Sequence, residues 1–147
     1  MIITRATEYA IRAVMYLATQ PLGDVVLKKD ICQTQDITPA FLTKILQPLI
    51  KANLVGSQRG VTGGFFLRRP PSEITLLDIL EAEEGPLYLN RCLMHDEFCE
   101  RTDNCPVHDI WHQLRDTMKT HLSQATIASL HDKKTKGCCA AISCEGS

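Results

Sequence analysis

Apolar residues recur at helical spacing from residue 4 to residue 20. Tyr9, Ala10, Ala13, Val14 and Leu17 share one face, and Arg5, Glu8 and Arg12 lie off it, which predicts an amphipathic helix. Pro21 and Gly23 end it. Leu27 to Thr34 reads as a short second helix with Ile31 and Cys32 inward, and Asp36-Ile37 as a tight connection. Thr38 is a good N-cap and Pro39 suits the first helical position. A third helix follows, with Phe41, Leu42, Ile45, Leu46, Leu49 and Ile50 as its buried stripe and Thr43, Lys44, Gln47 and Lys51 on its polar face. Pro48 falls inside this pattern, where it should remove one backbone hydrogen bond and bend the helix. Two short helices joined by a tight turn, the second turning Lys, Gln and Thr outward, match a helix-turn-helix.

Two short β-prone runs then flank a glycine-rich turn at Gly60 to Gly64. They predict a hairpin, the wing, with Arg59 and Arg68 beside the turn and able to reach phosphate or a minor groove. Pro70-Pro71 is a stiff break. Thr75-x-x-Asp78 is a capping box for a helix running to about Glu84, stopped by Gly85-Pro86. Residues 87–106 form a polar, cysteine-bearing loop. Pro106 opens a long helix striped by Val107, Ile110, Trp111, Leu114, Met118 and Leu122. That stripe packs either against a second copy or against its own core. Thr126 to His131 is a short final helix, and the tail from Asp132 is expected to be disordered. The fold class is mainly α with a small β-wing: a winged helix-turn-helix over residues 1–70, a cysteine loop and dimerisation helix over 71–131, and a flexible cysteine-containing tail over 132–147.

Composition adds to this at two points. The net charge of −1 hides an asymmetry: residues 1–70 hold nine Lys or Arg against four Asp or Glu, and residues 71–147 hold seven against thirteen. A basic first half suits a polyanion, and an acidic second half suits a separate regulatory role. The pattern shows no signal peptide and no apolar run approaching the ~18 residues that span a bilayer, so a cytoplasmic protein with no membrane partner is expected. Seven cysteines in a reducing compartment point to metal or redox chemistry rather than disulfides. No nucleotide loop, nucleophile elbow or catalytic triad is evident, which argues against an enzyme.

The cysteines divide into groups. Cys92, Cys99 and Cys105 are spaced C-x6-C-x5-C, with His108 just beyond them. Thiolates favour iron–sulfur clusters, zinc and cuprous copper. Structural zinc usually shows tighter knuckles than this loop offers, and wide spacing wraps a larger object. His108 or Glu8 would supply a fourth ligand. On residue types alone, zinc binding and thiol redox stand beside the cluster reading. Cys138, Cys139 and Cys144 read as exposed thiols, and Cys32 as a small core hydrophobe.

The order of these pieces resembles the Rrf2 family of bacterial winged-helix regulators, which has IscR-, NsrR-, RirA- and CymR-like members. The resemblance covers residues 1 to about 131. It is carried by Ile3-Thr4 leading to Tyr9-Ala10-Ile11-Arg12-Ala13, by Phe41-Leu42-Thr43-Lys44-Ile45-Leu46, and by Lys51-Ala52-Asn53-Leu54-Val55. Arg59-Gly60 with Gly63-Gly64-Phe65, Pro70-Pro71, Ile74-Thr75, Glu84-Gly85-Pro86 and the three spaced cysteines follow in family order. The resemblance implies a homodimer on palindromic operator DNA, with the third helix in the major groove. Thr38, Ala40, Phe41, Thr43 and Lys44 would then face base edges and nearby phosphates, Arg59 the minor groove, and Arg5 and Lys28 the phosphates. It also implies an iron–sulfur cluster on Cys92, Cys99 and Cys105. His108 matches the histidine of IscR-like members, which hold 2Fe–2S. Glu8 stands where NsrR-like members place an acidic ligand to 4Fe–4S, and Lys44 to Leu49 looks closer to RirA. The histidine match puts 2Fe–2S ahead of 4Fe–4S.

The expected activity is therefore transcriptional regulation through operator affinity, set by iron or cluster status, oxygen or nitric oxide. Two other readings stand beside it: a regulator of the same fold that lacks a cluster and senses a partner protein, and a small iron–sulfur or thiol-redox protein. The last leaves the basic first half unexplained.

Overall fold

The computed structural model describes residues 3–94 and 105–137. The elements run α1 (Arg5–Leu17), β1 (Val26–Leu27), α2 (Lys28–Gln35), α3 (Pro39–Lys51), β2 (Val55–Gln58), β3 (Gly64–Leu67), α4 (Leu76–Glu84), a 3-10 turn (Arg91–Leu93), α5 (His108–Gln124) and α6 (Ile127–Gly137). No helix among the described residues is long and apolar enough to cross a membrane.

Three helices begin at threonines whose hydroxyls replace missing backbone partners. Thr38 Oγ1 accepts from Phe41 N at 3.3 Å, and Pro39 follows it in the first turn. Thr75 and Asp78 close the predicted capping box, with Thr75 N donating to Asp78 Oδ2 at 2.9 Å and Asp78 N donating to Thr75 Oγ1 at 3.1 Å. Thr4 caps α1, and its hydroxyl also donates to Glu84 Oε1 at 2.6 Å. Thr4 N and the Thr7 hydroxyl donate to the same oxygen. These donors hold the Glu84 carboxyl below its ordinary range and fasten the start of α1 to the end of α4.

The core gathers Ala10, Ala13, Val14 and Leu17 of α1, Ile31 and Cys32 of α2, and Leu42, Ile45, Leu46 and Leu49 of α3. Ile74, Ile79 and Ile127 close it from the second half. Each large aliphatic side chain removed from water contributes roughly 2 kcal/mol, so the α3 stripe alone is a major share of the favourable term. Burial pushes the Cys32 thiol above its ordinary value, as befits a packing residue. α3 stays continuous across Pro48. The proline takes away the donor to the Lys44 carbonyl, and Lys44 is exposed, so solvent can satisfy that oxygen and the interruption is tolerated.

The sheet differs from the expected two-stranded wing. Val26–Leu27 forms a third strand, giving the order β1-β3-β2, all antiparallel, with Val26 opposite Phe65 and Leu27 opposite Gly64. Two residues carry too little alternation to be read as a strand. A Cβ on Gly64 would fall on the Val26 carbonyl oxygen, so glycine is what lets the wing lie against the segment that opens α2.

The C-terminal half narrows one open alternative and corrects one expectation. α5 buries only His108, and Ile110 and Leu114 are 55% and 43% exposed. The first half of the stripe therefore does not cover the chain's own core, whereas Met118 and Leu122 are half-buried and line a cavity with Leu80 and Leu87. α6 continues past Asp132 to Gly137, where lysines favour the end of a helix. Thr75 and Thr126 form a short antiparallel bridge, flanked by Leu76 N donating to the Ala125 carbonyl at 2.9 Å and Ile127 N to that of Ile74 at 2.8 Å. These bonds stitch the last helix to the start of α4.

Glu83 is half-buried, and its Oε1 finds no hydrogen-bond partner among the described residues. Burial first, and the neighbouring Glu84 second, push its carboxyl up to about 7. A raised carboxyl stabilises the fold while protonated, and that contribution is lost as pH rises through about 7. Glu83→Gln should therefore raise the melting temperature more at pH 8 than at pH 5. Equal shifts at the two pH values, in parallel thermal melts, would contradict this.

Candidate nucleic-acid interface and cysteine site

The polar face of α3 and the wing frame one open cleft of about 380 Å³. Lys28, at the first turn of α2, donates to Thr43 Oγ1 at 2.5 Å. The Thr43 hydroxyl in turn donates to the Pro39 carbonyl at 2.9 Å. Thr38 serves as the α3 cap, and Ala40 and Lys44 are exposed on the first turns of the helix. Phe41 is half-buried, its ring meeting Tyr9 edge-on with centroids 5.5 Å apart. Arg59 stands at the rim of the cleft and is exposed.

A second basic group lies beside this face. The guanidinium groups of Arg12 and Arg5 lie 4.8 Å and 5.7 Å from the Tyr9 ring centroid. The hydrogen bond from Arg5 lowers the Tyr9 hydroxyl pKa. Arg12 also donates to the Gln35 carbonyl at 3.2 Å. It thereby ties α1 to the last turn of α2, immediately before left-handed Asp36 turns the chain into α3. Tyr9 thus sits between α3 and two cations. Arg12, and the cleft residues Gln47, Ser57 and Gln58, were not among the sequence candidates for the DNA face. Gln47 was traceable, since it falls four residues after Thr43 on the same helical face.

Of the candidate cluster ligands, Cys92, Cys105 and His108 lie in and around the start of α5. Cys99 lies outside the described residues, as do Cys138, Cys139 and Cys144. Cys92 and Cys105 are half-buried with free thiols. The 3-10 turn bearing Cys92 packs against α5, and Cys92 Sγ donates to Asn90 Oδ1 at 3.0 Å. His108 N donates to the Cys105 carbonyl at 3.1 Å, which places both residues on the turn that opens α5. The His108 side chain is buried, and its Nδ1 has no hydrogen-bond partner among the described residues. Glu8 is exposed on α1. No three His, Cys, Asp or Glu side chains among the described residues converge on a metal position. A buried imidazole nitrogen left without a partner, on the turn shared with Cys105 and on the helix that packs against the Cys92 turn, is nonetheless a donor chemistry that suits a thiolate-ligated cluster.

Two further residues surround His108. The His112 ring meets it edge-on at 5.0 Å between centroids. Arg115 Nη2 lies 2.8 Å from His112 Nδ1 and also pairs with Asp116 Oδ1 at 2.8 Å. Arginine donates only, so His112 Nδ1 must accept. The neutral His112 ring therefore carries its proton on Nε2. Nitrogen-15 NMR of the metal-free protein should show that tautomer, and Arg115→Met should release a mixture; an Nδ1–H tautomer in the unaltered protein would contradict the assignment.

Residues 3–133 match the profile of the Rrf2 family, described as an iron-dependent transcriptional regulator. An HTH-type transcriptional regulator of Mycobacterium tuberculosis is 37% identical over 123 residues, spanning 84% of this chain and 76% of that one. The HTH-type transcriptional regulator IscR of Serratia proteamaculans is 30% identical over 130 residues, spanning 88% and 79%. Among solved structures, CymR of B. subtilis, the global cysteine regulator, superposes with a TM-score of 0.72 at 29% identity. The match covers 90% of this chain and 97% of that one.

Proposed function

Because the chain belongs to the Rrf2 family of transcriptional regulators, we propose that its DNA affinity is set by an iron–sulfur cluster held by Cys92, Cys99, Cys105 and His108. DNA-binding regulation itself follows from the family, and its relatives and fold neighbours are regulators rather than enzymes. The observation that carries the cluster reading is the buried, unpartnered Nδ1 of His108, on the turn shared with Cys105 and against the turn bearing Cys92. Bound there, a cluster would supply a redox-active, displaceable inorganic centre whose charge and occupancy report iron, oxygen or nitric oxide. The His108 ligand favours 2Fe–2S; a 4Fe–4S centre using Glu8 is the competing ligand set.

The chain's own geometry supplies the coupling. α4 packs against α1 and α3 on one side and against α5 on the other. A change in the order of the loop before α5 therefore reaches the recognition helix through a single intervening helix. The exposed Ile110, Trp111 and Leu114 on α5 are covered, in this reading, by the same helix of a second copy. A two-fold dimer then presents two α3 helices to a palindromic operator, and their spacing selects the half-sites.

Two measurements test these points. Anaerobically purified protein should contain iron and sulfide. Replacing Cys92, Cys99 and Cys105 together by Ala should abolish both and shift operator affinity by at least about tenfold. An unchanged affinity in that variant, measured by fluorescence anisotropy with and without cluster assembly, would remove the sensor and leave a cluster-free regulator. Loss of iron in Glu8→Ala but not in His108→Ala would reassign the fourth ligand. Separately, Trp111→Asp with Leu114→Asp should convert a dimer to a monomer in sedimentation equilibrium and weaken DNA binding. A variant that stays dimeric would exclude α5 as the interface.

A further inference from the structure

We propose that the cleft between α3 and the wing is a slot for one phosphodiester of the DNA backbone, and that Gln47 and Gln58 are its uncharged donors. The inference rests on the DNA-binding reading above and deepens it. The Thr43 hydroxyl has a single proton, and that proton is committed to the Pro39 carbonyl. It cannot donate to DNA as well, and it accepts from Lys28 instead. What Thr43 does from this position is aim Lys28: the ammonium spends one proton on Thr43 and keeps two for the cleft.

The remaining donors lie around that ammonium. Gln47 is one turn beyond Thr43 on the same face of α3, and Gln58 stands on β2, on the wing side of the cleft. Neither amide makes a hydrogen bond to another described residue, and both are exposed. Among the described residues, Lys28 and Arg59 are the only charged ones lining the cleft, and both are positive. This arrangement attracts an anion and offers neutral donors to orient it. Position decides which part of the nucleic acid arrives. A recognition helix enters a major groove and a wing reaches the neighbouring minor groove, and only the sugar–phosphate backbone passes between two adjacent grooves. Thr43 and Gln47 thus serve register on the backbone, and direct base reading is left to the first turn of α3.

The test uses the full-length chain and two duplexes, one selected by the unaltered protein from a random pool and one of unrelated sequence. Gln47→Leu with Gln58→Leu should weaken binding to both by about tenfold, the worth of two modest hydrogen bonds. The slope of log affinity against log salt should not change, because neutral donors release no counterion. Lys28→Gln should instead flatten that slope by about one. A scan of single methylphosphonate substitutions should find a position in each half-site where the double variant loses less than the unaltered protein does. Matching melting temperatures confirm that the variants fold. Loss confined to the selected duplex would make the glutamines base readers and overturn the proposal, as would no loss at all. If the unaltered protein enriches no duplex from the pool, the DNA-binding reading fails with it.

Discussion

α3 has to satisfy two neighbours at once, and the rest of the molecule is arranged around that constraint. Leu42, Ile45, Leu46 and Leu49 on one side are packed into the core. The residues of α3 left free to meet another molecule therefore lie on the opposite arc, where Ala40, Lys44 and Gln47 are exposed. A helix anchored so deeply cannot rotate about its own axis without breaking the core, so its outward face is aimed by packing rather than by polar contacts. The Tyr9 ring against Phe41 and the Arg12 bond to Gln35 then fix the two helices that flank it. The wing is held in the same frame because β3 pairs with the residues just before α2.

Much of this could be read along the chain, and the gaps have physical causes. Helical periodicity and the threonine caps located α3 and α4 to within a residue or two, since each signal is local and repeated, and α1 ended three residues before the expected stop at residue 20. β1 escaped because a two-residue strand is defined by its partner at Gly64 rather than by its own pattern. Pro48 invited an expectation of a bent helix, and the sequence does not show that Lys44, whose carbonyl loses its donor, is exposed. The stripe on α5 was legible as apolar, but whether it is inside or outside depends on tertiary contacts that no periodicity encodes.

The functional residues divide in the same way. His108 stood out by its spacing from Cys105, whereas His112 and Arg115, three residues apart on the same helix, are neighbours by spacing alone, and only the structure shows which ring nitrogen faces the guanidinium. Thr43 is the instructive case. Its residue type and position suggest a base contact, and only the hydrogen bonds to Lys28 and Pro39 reveal that its hydroxyl is already engaged. Residue type proposes a donor, and the local bonding decides whether the donor is available.

The bond between Glu84 and the start of α1 bears on how the chain folds as well as on how it stands. Thr4 and Glu84 are separated by 80 positions, and the bridge at Thr75 and Thr126 spans another long interval. Closing such separations is entropically slow compared with forming adjacent helices. During synthesis the first three helices therefore emerge with their inner stripes ahead of the α4 residues that complete their core. The N-terminal half spends that interval with apolar surface exposed, and its vulnerability to aggregation and proteolysis ends only when α4, and after it Ile127 of α6, arrive to close the core.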